Sequence, residues 1–537
     1  DGNHGMPSGI WGEFRQRLYN HYGGPEAVAT GWVSHTLFEP SVGDSILKAM
    51  AQHPNLIIEY NVPIPKVERV AAHWEIQYQK EGKTISLKAN ILVDATETGA
   101  ILPLVKAPFR LGMDARRDTG EKEAPPSANS VVQDITYVAI LKDVGQAKHT
   151  KGLVQKPTAY SPEDYSCACK RKGHSLFGAV NDCQQMLNYA KLPNNKYIIN
   201  WPHCGNDFFL DWPNLTPGQI TMKLQAARTF TQGFVYYIQQ ELGYQNLRLA
   251  QEFPQGRSWP MIPYHRESRR LQGAVLLITD HLKRPYDFTL YRTGIAVGDY
   301  PIDHHHDKNP DAPKIDFINI KIPSYTIPLG CLMTESIPNF LVAEKNISVS
   351  NIVNGTTRLQ PVVLGIGQAA GTLATLAIQK GKSPQEISIR SVQRALIQSG
   401  AYVMPFVDVL PGDPDFGAMQ RIGATGILKG YGVPYKWANQ TWFYPERTIS
   451  EHELKQGLLP YYPELDAFAA SGEMLTSRFL HELLLHIAPQ LKVDLQGFLS
   501  EKKDTPLTRR NVCKVLDRHL DPFSLEVAID GTLPSRE

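Results

Sequence analysis

The spacing of apolar residues predicts short helices and strands in turn along the first hundred positions. Phe14, Leu18 and Tyr19 recur at helical spacing after three glycines, which indicates a glycine loop leading into a helix within residues 2–22. The other predicted elements of this part are a helix at 42–51, a strand at 56–62, a hairpin of strands 74–79 and 83–89 joined at Glu81 and Gly82, and a short buried strand at 90–96.

The stretch 339–381 combines a strand with a helix that is rich in small residues. Residues 340–343 predict a buried strand, followed by a loop rich in Asn, Ser and Thr and then by a helix that opens at Gly365 and Gly367. Its alanines and glycines would let it lie against a sheet or a bound ring. Free backbone N–H groups at its start favour an anionic or electron-rich ligand atom. From the spacing alone, a packing helix without a ligand is the alternative.

The middle of the chain, residues 105–335, alternates strands with polar inserts. Within it, Leu224, Ala227, Phe234 and Ile238 predict a long helix over 221–242. The stretch 123–129, rich in Pro, Ser and Asn, and the basic stretch 170–174 are both predicted to be surface loops.

The composition is that of an ordinary soluble globular chain. The 537 residues are 42% hydrophobic and 20% charged, with room for two or three domains. A net charge of +2 gives no reason to expect nucleic acid or an anionic membrane as a partner, and no run approaches the roughly 20 apolar residues that span a bilayer. The first residues contain neither an initiator Met nor a signal peptide, so we expect the numbering to start inside a longer chain. A periplasmic or secreted location is slightly favoured over a cytoplasmic one.

Six cysteines leave the redox compartment open. Cys167, Cys169 and Cys183 could supply three of the four ligands of a zinc site, but no fourth ligand lies at a convincing spacing. A disulfide within this group, or plain free thiols, is the favoured interpretation, and no metal site is predicted.

Three clusters are rich in the residue types that perform catalysis. Residues 201–207 place His203, an amide and a carboxylate beside a glycine. Residues 262–270 carry a phenol, His265 and three arginines, and residues 300–307 carry a run of three histidines. Each cluster has another interpretation: a salt-bridged turn for the arginines, a core position for His203, and a metal site for the histidine run, although alternation along a strand would place only two of the three on one side.

Several of these segments resemble one known family. Residues 341–343, the loop that ends in Arg358-Leu-Gln-Pro-Val, and the run Gly365-x-Gly-Gln-Ala-Ala-Gly-Thr resemble the C-terminal flavin segment of FAD-dependent oxidoreductases in the glutathione-reductase-like superfamily. Members of that family often carry the label xanthan lyase. In the family, the helix points its N-terminus at the pyrimidine edge of the flavin.

The strand at 90–96 carries a second resemblance. It ends in Asp94-Ala-Thr-Glu-Thr-Gly99, which is similar to the second dinucleotide motif of the superfamily, a hydrophobic strand followed by Ala-Thr-x-x-Gly. The three clusters also resemble landmarks of the family, so the resemblance covers most of residues 1–405. Two positions depart from the family pattern: Glu344-Lys345 stand where the family has Gly-Arg, and Gly99-Ala100 stand where it has Gly-Asp.

The Rossmann fingerprint G-x-G-x-x-G, which binds pyrophosphate near the N-terminus of an FAD domain, does not occur in these 537 residues in its expected setting. Gly365-x-Gly367-x-x-x-Gly371 has a different spacing and comes too late in the chain. In the family, residues 1–5 would follow that unit by a short distance. The resemblance therefore implies either a truncated chain or a first βαβ unit on a separate polypeptide.

The resemblance implies an α/β fold with an FAD-binding, glutathione-reductase-like Rossmann-type domain, an inserted β-rich substrate domain and a small C-terminal helical domain. The expected boundaries are 1–110 for the first part of the FAD-binding domain, 111–325 for the substrate or cap domain with returning FAD-domain segments, 326–404 for the C-terminal flavin segment, and 405–537 for the helical domain.

It also implies an FAD-dependent oxidoreductase that transfers hydride from a small molecule or saccharide, carbohydrate-related or anionic, to the flavin, with an unknown electron acceptor. Arg266, Arg269 or Arg358 would anchor the substrate, and His265, His304 or His305 would be the base. The predicted catalytic residues are His203, His265, Arg266, Arg269, His304 and His305, and the predicted cofactor-binding residues are Val62, Ala95, Thr96, Gly99, Arg358, Gly365, Gly367 and Gln368.

Beyond residue 404 the chain resembles an S-layer-homology-type unit. Residues 406–430 carry an Asp-Val-x-Pro entry and a Gly-Ile-x-x-Gly loop, residues 443–454 carry Phe-x-Pro and a Ser-x-x-Glu helix cap, and a weaker second half follows at 505–517. In that family three units bind cell-wall polymers. Two other functions stay open: a non-catalytic flavoprotein relic that binds carbohydrate or cell wall, and a polysaccharide lyase that uses Tyr264, His265 and Arg266. A docked helical domain that binds nothing is the structural alternative.

Overall fold

The computed structural model describes residues 2–146, 150–169, 182–435, 437–490 and 505–534. The fold is mixed α/β, and its strands form several small sheets. The stretch 170–174, predicted to be a surface loop, lies outside the described residues.

Most helices are short. They are α1 (Gly9–Tyr22), α2 (Pro40–Met50), α3 (Ile101–Leu104), α4 (Arg116–Thr119), α5 (Cys183–Leu187), α6 (Pro217–Tyr236), α7 (Thr279–Lys283), α8 (Asn351–Thr357), α9 (Gln360–Lys380), α10 (Ile389–Gln398), α11 (Phe416–Thr425), α12 (Glu451–Leu458), α13 (Ser477–Ile487) and α14 (Arg509–Val515).

The strands are shorter still. They are β1 (Lys66–Val70), β2 (His73–Lys80), β3 (Lys83–Ala89), β4 (Leu92–Asp94), β5 (Phe109–Arg110), β6 (Ile135–Thr136), β7 (Ala139–Asp143), β8 (Lys191–Leu192), β9 (Lys196–Ile199), β10 (Asp207–Phe208), β11 (Leu247–Leu249), β12 (Arg270–Leu271), β13 (Gly294–Gly298), β14 (Tyr325–Pro328), β15 (Phe340–Val342), β16 (Tyr431–Val433) and β17 (Gln440–Trp442).

The hairpin predicted around Glu81 and Gly82 is confirmed. β2 and β3 are antiparallel, with Lys80 opposite Lys83, and both turn residues have a positive φ. Two successive left-handed residues give the turn a twist that matches the right-handed twist of the strands. β1 pairs with the other edge of β2 and completes a three-stranded sheet.

A parallel pair of strands joins the two segments that resemble flavin-binding motifs. Leu341 of β15 lies opposite Val93 of β4, and every residue of β15 is buried. Parallel strands need a long crossover connection, and here the whole of residues 95–339 lies between the two strands. The pair therefore brings the turn after β4 close to the start of the C-terminal flavin segment.

The prediction of a strand at 56–62 is wrong. The backbone forms no strand between residues 51 and 65, and Ile57 is 85% exposed and Tyr60 62% exposed. An extended segment becomes a strand only when a neighbouring strand supplies partners for its backbone N–H and C=O groups. Among the described residues, no strand forms a backbone ladder with this segment.

The helix of the 339–381 stretch begins earlier than predicted. α9 starts at Gln360 with Pro361 in its first turn, where the fixed φ of proline suits a helix and its missing N–H is not needed. The preceding segment, predicted to be a loop, is helix α8, and the hydroxyl of Ser350 caps it by accepting a hydrogen bond from the amide of Val353 at 3.2 Å. Gly365 and Gly367 therefore lie inside α9.

α9 is a core helix that packs against α1, α10 and β13. Its small residues permit close approach, since a Cβ on Gly365 would lie 3.3 Å from the Cβ of Ala296 in β13. By length and composition alone this helix would also be apolar enough to cross a membrane, a test that core helices pass as well.

The helix predicted at 221–242 is confirmed with an earlier start. α6 begins at Pro217, where Thr216 and Gln219 form a capping box, and a π-helical turn at Tyr237–Glu241 follows it. Its buried side, which includes Phe234, packs on the four-stranded antiparallel sheet of order β11-β7-β9-β8.

Disulfides link the cysteines of this middle part. Cys167 pairs with Cys204, and Cys169 pairs with Cys183. Of the two alternatives for the predicted group, a disulfide or free thiols, the Cys169–Cys183 bond is the disulfide, whereas Cys204 lies outside that group. The three sulfurs considered as zinc ligands are all used in these bonds. Within the described ranges, no group of three or more His, Cys, Asp or Glu side chains is arranged to hold a metal ion.

The C-terminal region contains three similar helix starts, one more than the two halves found in the sequence. Ser450, Thr476 and Thr508 each accept a hydrogen bond from the amide three residues further on, at the starts of α12, α13 and α14. Backbone bridges link the residues next to these caps: Thr448 with Thr508, Ser450 with Met474, and Thr476 with Pro506.

The C-terminal region shares one hydrophobic core with the preceding part of the chain. The largest cluster of buried residues includes Phe340 and Leu373 as well as Phe406, Leu454 and Leu483. Polar contacts cross the same boundary: the guanidinium of Arg390 in α10 lies 4.4 Å from the ring of Phe523 and donates a hydrogen bond to the carbonyl of Leu525.

Candidate functional site

A buried network of charges lies where the three catalytic-type clusters meet. The Nδ1 of His305 lies 2.6 Å from Asp207 Oδ2, and its Nε2 lies 3.2 Å from Asp303 Oδ2. Arg266 donates from Nη2 to Asp207 Oδ1 at 3.1 Å, and the hydroxyl of Thr136 donates to the same oxygen. Clusters that lie about a hundred residues apart in the sequence therefore form one site.

The pKa shifts agree with an imidazolium held between two carboxylates. Burial by itself would raise the pKa of Asp207 and of Asp303, but the charge of His305, with Arg266 beside Asp207 and Arg358 beside Asp303, holds both values well below the usual range. Burial and the charge of Arg266 disfavour the protonated form of His305, yet the two carboxylates raise its pKa above the ordinary value.

Arg358 connects this network to the start of α9. It donates from Nη1 to the hydroxyl of Tyr264 at 3.0 Å and from Nη2 to Asp303 Oδ2 at 3.1 Å. Two residues later α9 begins at Gln360, and the side chain of Leu359 provides no cap for the first amides. The buried arginine thus directly precedes a helix start whose first amides receive no side-chain cap from Leu359.

The other residues predicted on α9 do not lie at its start. Only the first four amides of an α-helix lack an intrahelical partner, and Gly365 and Gly367 come after them. Gln368 instead connects α9 to its neighbours: its Oε1 accepts from the amide of Ile10 at 3.0 Å, and its Nε2 donates to Ser399 Oγ at 3.0 Å. The prediction that the helix opens at the glycines is therefore wrong, and the opening lies at Gln360.

His304 packs as an aromatic residue. Its ring is stacked 4.0 Å from that of Phe317, and its Nε2 lies 3.1 Å from the carbonyl of Ile352, which requires the proton to be on Nε2. Its Nδ1 lies 3.4 Å from Nε2 of His306. Burial, followed by the neighbouring His306, lowers the pKa of His304 well below the ordinary value, so this ring is neutral.

His265 has an unengaged ring nitrogen. Its Nδ1 is buried without a hydrogen-bond partner in the described part of the chain, and burial lowers its pKa to about 4. Beside it, Lys345 pairs with Glu344 at 2.6 Å and with Glu97 at 3.2 Å. The lysine charge also disfavours the protonated form of His265, whereas Glu97 favours it.

The turn after β4 is fixed by polar contacts from two directions. Asp94 Oδ1 accepts from the amide and the hydroxyl of Thr96, at 3.0 and 2.7 Å, and its Oδ2 accepts from the amides that start α3. Asn346 donates from Nδ2 to the carbonyls of Asp94 and Thr96, both at 3.1 Å. Ala95 stays exposed on this turn, so its backbone is open to a ligand.

Gly99 and Arg269 complete the turn. Gly99 has a φ of 61°, and a Cβ there would lie 3.0 Å from the Cβ of Arg269, so both backbone conformation and space favour glycine. Arg269 donates to the carbonyl of Thr98 at 3.0 Å and lies 4.8 Å from the ring of Trp212. Arg270 is fully buried and forms ion pairs with Glu267 at 2.6 Å and Asp114 at 3.1 Å. For this arginine, the alternative interpretation of the cluster as a salt-bridged turn therefore applies.

The other two predicted residues lie on segments outside the helices and strands. His203 is half-buried in the turn between β9 and β10, and Val62 lies in the unpaired segment that was predicted to be a strand. The sequence interpretation also left out residues that the network uses. Asp207 and Asp303 lie within the predicted clusters, but the sequence interpretation did not name them as site residues. Asn346, which fixes the turn after β4, is part of no recognised motif.

The family assignment agrees with this arrangement. A mixed α/β chain in which a buried charged network adjoins a helix start and the turn after a parallel strand has the features of a cofactor-dependent oxidoreductase. A family model for FAD dependent oxidoreductases matches residues 1–396. The chain therefore belongs to the FAD-dependent oxidoreductase family, whose cofactor is FAD. No match was found among curated proteins or among solved structures.

The residues at this place fit a flavin. Buried donors without a hydrogen-bond partner among the described residues include Nε of Arg266 and Nε of Arg358. Buried donors are normally satisfied, and a flavin pyrimidine ring carries carbonyl groups that accept hydrogen bonds. The donors present here are thus of a kind that a flavin pyrimidine edge could use.

Proposed function

We propose that this chain transfers hydride from a small-molecule substrate to FAD. The observation that carries the proposal is the adjacency of Arg358, the uncapped start of α9 and the charged network around His305. Arg358, the amides at the start of α9 and the turn from Ala95 to Gly99 would hold the cofactor. When bound, FAD would supply the acceptor for the hydride.

The positive charge beside the ring comes from the protein itself. Arg358 is 4% exposed and is held by Asp303 and Tyr264, so its guanidinium needs no reorganisation when charge develops on a bound ligand. The first amides of α9 add the positive end of the helix dipole at the same place. Both groups would stabilise negative charge that develops on bound FAD.

Among the three histidines predicted as the base, His265 is the best placed. His305 has both ring nitrogens engaged by carboxylates, and His304 donates its proton to a carbonyl. His265 is neutral because burial lowers its pKa to about 4, and its Nδ1 is free to accept the proton that leaves the substrate hydroxyl or amine.

A visible absorption spectrum of the full-length protein with added FAD tests the proposal. We expect the bands of protein-bound oxidised flavin after removal of free FAD, and bleaching when a substrate is supplied. A protein that stays colourless after FAD addition overturns the proposal.

The role of His265 is tested in the flavin-loaded protein. His265→Gln is expected to lower the rate of flavin reduction by about a hundredfold or more without changing the flavin content. His281→Gln is the matched control, because burial also lowers the pKa of His281 but the residue lies in α7, outside the network. An unchanged reduction rate in His265→Gln removes this residue from the mechanism.

We further propose a Rossmann-type arrangement in which a strand–helix unit that carries the pyrophosphate-binding loop docks beside β4. Within the described residues β4 pairs with β15 on one edge only, and the apolar residues of segment 56–62 lack a covering partner. Such a unit would come from sequence preceding residue 1 or from a second polypeptide. Fusing a family-type unit to residue 1 should raise the flavin affinity and protect the β4 amides from hydrogen exchange; no change in either would reject the arrangement.

The disulfides support a periplasmic or secreted location, which we propose on that basis. Disulfides persist in oxidising compartments and are rare where thiols are kept reduced. Mass spectrometry of protein isolated under alkylating, non-reducing conditions should find the Cys167–Cys204 and Cys169–Cys183 peptides linked. Free thiols at these positions would contradict the proposed location.

A second candidate function is carbohydrate or cell-wall binding by the C-terminal region. The three equivalent capped helix starts favour it, because S-layer-homology-type regions use three units. A pull-down of the full-length, flavin-free protein with isolated cell-wall polysaccharide tests it. The region also presents Tyr444, 41% exposed and stacked with Trp442, so Tyr444→Ala should weaken binding; no binding by the unmodified protein would reject this function.

A further inference from the structure

A cleft of about 660 Å³ lies outside the charged network, between the first turns of α6 and the segment that leads to Tyr264. Its volume lies in the range of small-molecule sites. The segment from Arg257 to Met261 forms one wall, and Thr221, Gln225 and Arg228 of α6 form the other. Tyr137 closes one side of the cleft.

The cleft and the network share a pair of bridged residues. Thr136 and Tyr264 exchange two backbone hydrogen bonds, of 3.1 and 2.9 Å. Successive side chains of an extended segment point to opposite faces, and accordingly Thr136 contacts Asp207 whereas Tyr137 lines the cleft. A ligand in the cleft would therefore lie on the opposite face of the backbone that holds the network.

Two guanidinium groups of the cleft have no carboxylate partner within 4.0 Å in the described residues. Arg228 lies 5.4 Å from the ring centre of Trp259, and Arg257 donates to the side-chain oxygen of Gln255 at 2.7 Å. An arginine that rests on an indole keeps its planar N–H donors available for a bidentate acceptor. The first feature that the cleft recognises is accordingly a carboxylate.

The remaining lining residues indicate what the carboxylate is attached to. Tyr137 and Trp259 supply aromatic surface, and Ser258, Thr221 and Gln225 supply hydroxyl and amide groups. Aliphatic surface comes from Leu224, Leu249, Pro260 and Met261. A polyhydroxylated ring needs both apolar and polar surface, because its C–H faces are apolar and its hydroxyls require hydrogen-bond partners. A purely apolar acid would make no use of the Gln225 and Ser258 side chains.

We propose that this cleft binds a carboxylate-bearing, polyhydroxylated ligand of the sugar-acid class. The site requires no flavin, so it stands independently of the proposed oxidoreductase activity. A protein that binds the ligand here but takes up no FAD would reject the activity and keep the cleft proposal.

Isothermal titration of the full-length protein tests it with a short glucuronic acid oligosaccharide, the corresponding neutral glucose oligosaccharide and benzoate. We expect the glucuronic acid ligand to bind at least about tenfold more tightly than either of the others, since a charge-assisted bidentate pair contributes at least that factor. Equal affinity for the neutral ligand, or tighter binding of benzoate, overturns the proposal.

Variants locate the binding. Arg228→Gln should weaken binding of the acidic oligosaccharide about tenfold or more, and Arg228→Lys should retain only part of it, because lysine keeps the charge but loses the planar donors. Lys223→Gln removes the same charge from an exposed position of α6 and should change the affinity less than about twofold. Equal losses in Lys223→Gln and Arg228→Gln would overturn the site. Arg228 is itself exposed, and thermal melts of each variant verify that it folds.

Discussion

At the scale of single residues, Glu344 combines a left-handed backbone conformation with an ion pair. The residue has a φ of 61°, the left-handed region that favours glycine, and glycine is what the sequence resemblance leads us to expect here. Its carboxylate lies 2.6 Å from the Nζ of Lys345, whose side chain is 1% exposed. The departure from the family pattern therefore costs backbone strain but neutralises a buried lysine.

Two substitutions separate the backbone effect from the ion pair. Glu344→Ala and Glu344→Gly both remove the carboxylate, so they lose the same pair with Lys345. The glycine variant should be more stable than the alanine variant by about 1 kcal/mol, because only alanine is strained at this φ. Urea unfolding measures the difference, and equal stabilities would mean that the backbone is not strained at this residue.

Asp134 makes the stability depend on pH. Its Oδ2 accepts a hydrogen bond from the amide of Lys308 at 3.0 Å, its Oδ1 has no partner in the described chain, and burial raises its pKa to about 7. Below about pH 4 the carboxyl is protonated in both the folded and the unfolded state. Between about pH 4 and pH 7 the Asp134 carboxyl loses its proton in the unfolded chain but keeps it in the folded protein. The free energy of unfolding therefore falls as the pH rises through this range.

Asp134→Asn removes this titration. The variant should gain stability relative to the unmodified protein between pH 4 and pH 8, by no more than about 4 kcal/mol for a shift of about three pKa units. Denaturant unfolding at both pH values measures the gain. Asp307→Asn, at an exposed position, is the control. A stability difference for Asp134→Asn that is the same at both pH values contradicts the assignment.

At the scale of elements, the spacing of small and apolar residues predicts that α9 exists but not where it begins. The small and apolar residues of 360–380 predict a helix correctly, but the pattern placed its start at the glycines. The start depends on Pro361 and on the preceding helix α8, whose polar residues look like a loop in the sequence. Asn351, Asn354 and Thr356 of α8 are buried, where their side chains bond to other parts of the chain.

The outer face of α9 gives a test at this scale. A Cβ on Gly371 would meet nothing within 4 Å, whereas one on Gly365 would approach Ala296. Gly371→Ala should therefore stabilise the protein by about 0.5–1 kcal/mol, the ordinary gain of alanine over glycine in a helix. Gly365→Ala should show less of this gain. Thermal unfolding of both variants measures it, and destabilisation by Gly371→Ala would indicate that this face is covered in solution.

At the scale of the whole molecule, the C-terminal region is part of one core. Ser324 donates to the carbonyl of Pro405 at 3.1 Å, and Arg292 donates to the carbonyl of Thr425 at 3.2 Å, so contacts cross residue 405 in several places. Phe406 and Phe443 are fully buried. Removing residues 405–537 would expose the apolar surface that these contacts cover.

Calorimetry tests this continuity. The full-length protein should unfold in a single cooperative transition, and a chain that ends at Met404 should aggregate or lack cooperative unfolding. Two separate transitions in the full-length protein, together with a well-folded chain ending at Met404, would show that the C-terminal region is an independent domain.

Local chemistry could be predicted because it depends on neighbours in the sequence. The hairpin at Glu81 and Gly82 and the helix that contains Phe234 follow from short-range patterns, and both are confirmed. For the cysteine group the sequence left a disulfide and free thiols open, and the structure shows the Cys169–Cys183 bond. The strand prediction for segment 56–62 is wrong for the opposite reason. Its apolar pattern is that of a strand, but a strand forms only when a second strand, distant in the sequence, pairs with it.

The sequence by itself determined the family, since residues 1–396 match the model of FAD-dependent oxidoreductases. Only the tertiary structure decided how the clusters combine. His305 lies between Asp207 and Asp303, and Arg358 joins them to the start of α9, because long connections bring segments about a hundred residues apart into contact. No pattern of spacing encodes such contacts, since they depend on how buried charges find their partners when the core forms.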